Sequence, residues 1–331
     1  MPELRKDPTV GRWVIIATER VRRPTDLAVP VSPRRGGPCP FCAGHEKETP
    51  PEVLAYRDAD TAAQDAPGWR VRVVPNKFPA LRVEGELGRR GEGVYDVMSG
   101  IGAHEVVIES PDHDTTLAAL PQAAVEDVVR AYRDRIVDLR RDGRLRSAIV
   151  FKNHGARAGA SLEHPHSQII ATPIVPLAVA DELHHARAYF DYRERCLYCD
   201  ILYQETTERT RIVAETADAV AFAPYAPRFP FETWIMPRRH AAAFDQATDA
   251  ELAALATLLR DVLGRLDRVV GDPPFNMILH TAPFGGEASP SYHWHVEIVP
   301  TLTAAAGFEV GTGFHINPMP PEEAARLLRG V

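Results

Sequence analysis

Apolar positions along the chain fall into helical and strand-like runs, and the order of those runs repeats. Val125, Val128, Val129, Tyr132, Ile136 and Leu139 recur at spacings near 3.6, predicting an amphipathic helix. Pro121 suits the start of that helix and Gly143 its end. Short apolar runs at 104–110, 148–151 and 169–171 read as strands around it. The second half offers the same sequence of signals. A strand-like run at 231–237 precedes a helix with Leu252, Leu255, Leu259, Val262, Leu266 and Val269 on one face. The Asp272-Pro273-Pro274 stop follows, then strands at 275–279 and 296–299. Residues 177–195 read as a linking helix, and 320–329 as a short helix opened by a proline pair. Residues 54–70 and 84–102 carry no strong signal.

The cysteines set the register of this repeat. The chain has 331 residues and four cysteines, arranged as Cys39-x-x-Cys42 and Cys196-x-x-Cys199. The pairs lie 157 residues apart, close to half the chain. His113 and His164 are 51 residues apart, and His240 and His293 are 53 apart. Each half therefore reads Cys-x-x-Cys, strand, His, helix, strand, His-x-His, strand. The expectation is an α+β fold made by internal duplication, with antiparallel sheets and packed helices, divided into residues 1–176 and 177–331.

Two thiolates and two imidazoles are a common structural zinc set. The halves offer Cys39, Cys42, His113 and His164, then Cys196, Cys199, His240 and His293, so two closed zinc sites are expected. His104 and His45 compete for the first site; His295 and His280 compete for the second. Four cysteines are too few for a disulfide scaffold.

The segment His164-Pro165-His166-Ser167-Gln168 carries the sharpest local chemistry. In an extended strand, positions i and i+2 share a face, so a metal-bound His164 would hold His166 beside it. The upstream segment 153–161 is rich in small residues that admit a close-lying ligand. Asn153, Ser161 and Gln168 offer neutral hydrogen bonds for phosphoryl oxygens. A histidine can attack phosphorus and hold the phosphoryl group covalently. A sugar phosphate leaves without a strong acid, so Gln168 suffices where a third histidine would favour hydrolysis. In the second half Glu297 stands in the place of Gln168, so only the first half is expected to carry the covalent step.

Composition narrows the class. With 38 basic and 45 acidic residues the net charge is −7, which disfavours nucleic acid as a partner. Against that trend, Arg20, Arg22, Arg23, Arg34 and Arg35 form a cationic stretch, read as a solvated loop or as a clamp for a phosphorylated ligand. There is no 18-residue apolar run and no signal-like start, so a cytoplasmic location without membrane insertion is expected.

The chain resembles the galactose-1-phosphate uridylyltransferase family of the histidine-triad superfamily over roughly residues 5–330. The landmarks are CPFC at 39–42, VVPNKFPAL at 73–81, ESPDH at 109–113, FKNHGARAGASLEHPHSQ at 151–168, PRRH at 237–240, LHTAPFGG at 279–286 and HWHVEIVP at 293–300. The resemblance implies two fused histidine-triad domains, a homodimer and a ping-pong transfer through a nucleotidyl-His166 intermediate. It places Gln168, Asn153 and Ser161 at the phosphates, with Gly159 in the same loop. Asn76, Phe78 and Pro79 match the strip near the nucleoside, and Arg23 an arginine near the phosphates. The first reading is transfer of UMP between hexose 1-phosphates, with UDP-glucose and galactose 1-phosphate as substrates. The alternative is an ADP-sugar phosphorylase or adenylyltransferase. GFEVGTGFHINP at 307–318 resembles that branch, and Lys77 stands where several uridylyltransferases carry aspartate. Some relatives lack the second cysteine pair and bind a metal through a glutamate and histidines. Glu182, His280 and His295 are the rival set here.

Overall fold

The structure, a computed structural model, describes residues 2–17, 19, 38–57 and 63–331. In chain order its strands are β1 (Glu3–Lys6), β2 (Trp13–Ile16), β3 (Leu54–Arg57), β4 (Trp69–Pro75), β5 (Arg90–Glu92), β6 (Tyr95–Val97), β7 (Ala103–Ile108), β8 (Ser147–His154), β9 (His166–Thr172), β10 (Ile212–Glu215), β11 (Ala219–Phe222), β12 (Thr233–Pro237), β13 (Phe275–His280), β14 (His295–Pro300) and β15 (His315–Asn317). The helices are α1 (Gln122–Leu139), α2 (Leu177–Arg193), α3 (Leu197–Glu208), α4 (Asp249–Val270), α5 (Gly307–Thr312) and α6 (Pro321–Arg329).

Ten strands form one sheet in the order β10-β11-β12-β14-β13-β8-β9-β7-β4-β3. Read outward from the centre, β8-β9-β7-β4-β3 mirrors β13-β14-β12-β11-β10. The duplication inferred from cysteine spacing is therefore a duplication of strand order. The two halves meet where β8 pairs antiparallel with β13, and Asn153 stands opposite Asn276. A smaller sheet joins β1, β2 and β15, with β15 parallel to β2, so the C-terminal segment returns to the N-terminus.

Helices α1 and α4 pack on the large sheet and on each other. Val128, Val129, Tyr132 and Ile136 of α1 meet Leu252, Leu255, Leu259 and Val262 of α4 in one core shared by both halves. Burying each such aliphatic side chain contributes roughly 1.5–3 kcal/mol. Thr248 starts α4 with a capping box: its hydroxyl accepts from Glu251 N, and the Glu251 carboxylate accepts from Thr248 N at 2.8 Å.

The structure departs from the sequence expectation at several points. Helix α1 ends at Leu139, and Gly143 lies in the turn beyond rather than at the cap. Strands β3, β5 and β6 lie in segments that carried no signal, β4 begins at the end of one, and α3 begins directly after Cys196. In β3 every residue is half-buried, so the alternation that marks a strand is missing.

Candidate active site and metal clusters

Cys39 and Cys42 lie in a turn, His113 follows β7, and His164 lies two residues before β9 begins. Cys42 Sγ stands 3.5 Å from His113 Nδ1 and 3.7 Å from His164 Nδ1, and the two Nδ1 atoms are 3.3 Å apart. Zinc bonds of about 2.3 Å to sulfur and about 2.0 Å to nitrogen, set tetrahedrally, require S–N edges of about 3.5 Å and N–N edges of about 3.3 Å. The donor set fits the ion. His164 Nε2–H donates to the Ser110 carbonyl at 2.8 Å, which leaves the Nδ1 lone pair facing the cluster. Burial lowers the His164 pKa to about 4, keeping the ring neutral. Burial and the adjoining Cys39 sulfur raise the Cys42 pKa to about 11, so a metal ion bound here would have to displace the Cys42 proton.

Cys196 and Cys199 at the start of α3 form the second cluster, with His240 after β12 and His293 before β14. Its edges repeat the first: Cys199 Sγ lies 3.4 Å from His240 Nδ1 and 3.7 Å from His293 Nδ1. The outward nitrogens again donate to backbone carbonyls, of Ser289 at 3.1 Å and of Pro237 at 3.0 Å. Both groups could hold a metal ion.

The competing histidines lie outside the two cysteine clusters. His45 Nδ1–H donates to the Cys39 carbonyl at 2.9 Å, and His45 is not part of the Cys39, Cys42, His113 and His164 group. His104 joins Gln168 instead. Glu182, His280 and His295 form a separate, buried group that could itself hold a metal ion, distinct from the second cysteine cluster. Burial opposes charge on His280, but Glu182 at 3.0 Å lifts its pKa to about 9. Burial and that charged neighbour push His295 down to about 4.

His166 opens β9, opposite Ile108 of β7. Its Nδ1–H donates to the His164 carbonyl at 2.8 Å, so the lone pair resides on Nε2. Burial lowers its pKa, and the Phe41 ring stands edge-on at 5.4 Å. His295, its counterpart, donates likewise to the His293 carbonyl at 3.1 Å. There the ring is sealed: Tyr198 and Trp234 stack on it, and Nε2 is buried with no partner.

Alternation along β9 places Gln168 on the same face as His166 and turns Ser167 to the opposite face. On that face Ser167 meets Tyr132 at 2.6 Å and the Glu109 carboxylate. Lys152 Nζ bonds Glu109 at 2.7 Å and the His166 carbonyl at 3.1 Å, with both charges buried. Sequence reasoning missed Glu109 and Lys152, although both sit inside quoted motifs. The signal was present: Lys152 lies between Phe151 and Asn153 in a strand, so it must face the helices.

The loop after β8 turns through Gly155 and Gly159, both at positive φ, around residues 156–158. Asn153 Oδ1 accepts from Asn276 Nδ2 at 2.8 Å. Its own amide nitrogen faces Gly159, where a Cβ would stand 3.6 Å away. Ser161 is exposed just beyond. Asn76 Oδ1 accepts from Phe78 N at 2.9 Å, and Phe78 itself is 84% exposed. Asn76 Nδ2 lies 3.4 Å from Gln168 Oε1, tying this strip to the His166 face. Arg23 and the other arginines at 20–35 lie outside the described residues. No helix among the described residues is long and apolar enough to cross a membrane.

Comparison with known proteins places this arrangement. Family models for the N-terminal and C-terminal domains of galactose-1-phosphate uridyl transferase match residues 1–176 and 182–328. The ADP-glucose phosphorylase of Arabidopsis thaliana is 38% identical, covering all of this chain and 93% of that protein. The galactose-1-phosphate uridylyltransferase of Thermotoga maritima is 31% identical, with 99% and 98% covered. A crystal structure of an ADP-glucose phosphorylase from Arabidopsis thaliana with bound ADP-glucose matches with a TM-score of 0.85 at 38% identity, over 100% of this chain and 99% of that one.

Proposed function

The chain belongs to the galactose-1-phosphate uridylyltransferase family, a family of nucleotidyltransferases, and from that premise we propose that it transfers a nucleoside monophosphate through His166. The observation that carries the reading is the bond from His166 Nδ1 to the His164 carbonyl. It aims a neutral, lone-pair-bearing Nε2 outward before any substrate arrives.

In the first step Nε2 attacks the α-phosphorus of a nucleotide sugar. A P–N bond forms, the bridging P–O bond breaks, and the sugar 1-phosphate leaves with both electrons of that bond. In the second step a phosphate oxygen of the acceptor attacks the same phosphorus and the P–N bond breaks. The carboxamide N–H groups of Gln168 and Asn153 stabilise the phosphoryl oxygens, on which charge accumulates in both steps. Gly159 lets a phosphate approach the backbone, with Ser161 at its edge. Asn76 and Phe78 face the nucleoside.

The sequence favours UMP as the transferred group. The higher identity to the ADP-glucose phosphorylase moves our reading to AMP, with inorganic phosphate or a sugar 1-phosphate as acceptor. UMP is the second reading, favoured by the 31% identity to a uridylyltransferase over nearly the whole chain. Each cysteine cluster holds one zinc ion in this reading. The ion ties strand ends together, and at the first cluster it fixes His164 and hence the strand that carries His166. A homodimer and a cytoplasmic location complete the proposal, and sedimentation velocity tests the first of these.

The deciding experiment is brief incubation with ADP-glucose or with UDP-glucose, followed by intact mass. An adduct of one nucleoside monophosphate is expected from one of them and is expected to vanish in His166→Ala. No adduct from either sugar in folded protein would sink the covalent mechanism.

A further inference from the structure

His104 of β7 and Gln168 of β9 are diagonal neighbours on one face of the sheet, because His104 pairs with Ile170 and Val106 with Gln168. His104 Nδ1 accepts the backbone N–H of Ala80 at 3.1 Å. A ring nitrogen that accepts carries no proton, so the proton of this imidazole lies on Nε2. That N–H donates to Gln168 Oε1 at 2.8 Å. Asn76 Nδ2 lies 3.1 Å from the same His104 Nε2 and 3.4 Å from Gln168 Oε1; because Nε2 carries the ring proton, the Asn76 amide is a longer second donor to that oxygen. An amide whose oxygen is held in this way presents its NH2 group on the other side.

We infer that His104 is a positioning residue that locks the Gln168 carboxamide with its N–H donors toward the transferred phosphoryl group. The inference rests on the functional reading above, which makes Gln168 a phosphoryl contact. The orientation matters because a flipped amide would set its oxygen against phosphoryl oxygens, replacing attraction with repulsion. The same residue also holds the loop at 76–80, through its backbone and its ring. Asn76 N donates to the His104 carbonyl at 2.8 Å, and Ala80 N to its ring. The loop beside the nucleoside and the glutamine beside the phosphorus are thus set by one residue.

The test compares wild type, His104→Phe, His104→Gln and Gln168→Ala, with each variant checked for unchanged melting temperature and zinc content. Single-turnover formation of the nucleotidyl adduct is the main readout. His104→Phe keeps a ring but offers no donor, and should slow adduct formation by about 10- to 100-fold with little change in substrate half-saturation. His104→Gln can place an amide N–H near the lost Nε2–H and should recover most of the rate. Gln168→Ala added to His104→Phe should cost no more than Gln168→Ala alone. Histidine 15N spectra, assigned by the signal lost in His104→Phe, should show the Nε2–H tautomer.

Equal rates in wild type and His104→Phe, additive losses in the double variant, or an Nδ1–H tautomer would each overturn the inference. A wild-type protein that forms no adduct overturns the functional reading, and the inference with it. The tautomer, read without any adduct, therefore separates the two failures.

Discussion

Asn276 of the C-terminal half donates its side-chain amide N–H to the side-chain Oδ1 of Asn153 in the N-terminal half at 2.8 Å, across the β8–β13 seam. The same amide nitrogen reaches the Ala158 carbonyl at 2.9 Å. One side chain from the second half thereby sets both the Asn153 carboxamide and the loop after it. Asn276→Ala should leave zinc content unchanged and lower kcat/KM by about 10-fold, the equivalent of one hydrogen bond. Steady-state kinetics check this, and an unchanged kcat/KM would count against any role for the seam in the reaction.

Gln168→His introduces an imidazole that can donate a proton to a leaving group or accept one from water. The variant should partition more of its intermediate to hydrolysis than to transfer. Isolated nucleotidylated protein, chased with acceptor or with buffer alone, gives the ratio. A partition identical to wild type would refute the account of why glutamine stands there.

Burial lowers the His166 pKa from its ordinary value of 6.5. The nucleophile is the neutral ring, so activity is lost only as pH falls through the lowered pKa. The midpoint of the loss should therefore lie below pH 6.5, where an unperturbed histidine would be half protonated. A single-turnover pH profile with its midpoint at or above 6.5 contradicts the burial argument.

Two zinc ions per chain are expected by elemental analysis, and Cys42→Ser and Cys199→Ser should each lose one. Their consequences differ, because only the first cluster contains a neighbour of the nucleophile, His164. Cys42→Ser should slow adduct formation strongly. Cys199→Ser should chiefly lower the melting temperature. Equal effects on the chemical step would deny the first cluster its link to His166.

Lys152 and Glu109 form a buried pair behind the nucleophile strand, 2.7 Å apart. Lys152→Met strands the carboxylate and should cost about 3–5 kcal/mol in denaturant unfolding. Lys152→Met with Glu109→Leu removes both charges and should return much of that loss. A double variant as unstable as the single one would show that the pair matters for more than mutual compensation.

The sequence by itself marked the duplication, the two Cys/His sets with their competing histidines, the long helices and the strand that carries His166. Each is local, or is marked by rare residues at fixed spacing. Periodicity states which side of an element is buried, and Cys and His are scarce enough for their repeat to stand out. The tertiary structure alone decided which strands are neighbours. His104 reaches Gln168 across 64 residues because β7 lies beside β9. Asn276 reaches Asn153 across 123 residues because the halves share one sheet. An asparagine or histidine on a strand looks the same in sequence whether it faces water or holds a catalytic amide. The difference lies in the register of a partner strand, which is set by the packing of the whole sheet against α1 and α4.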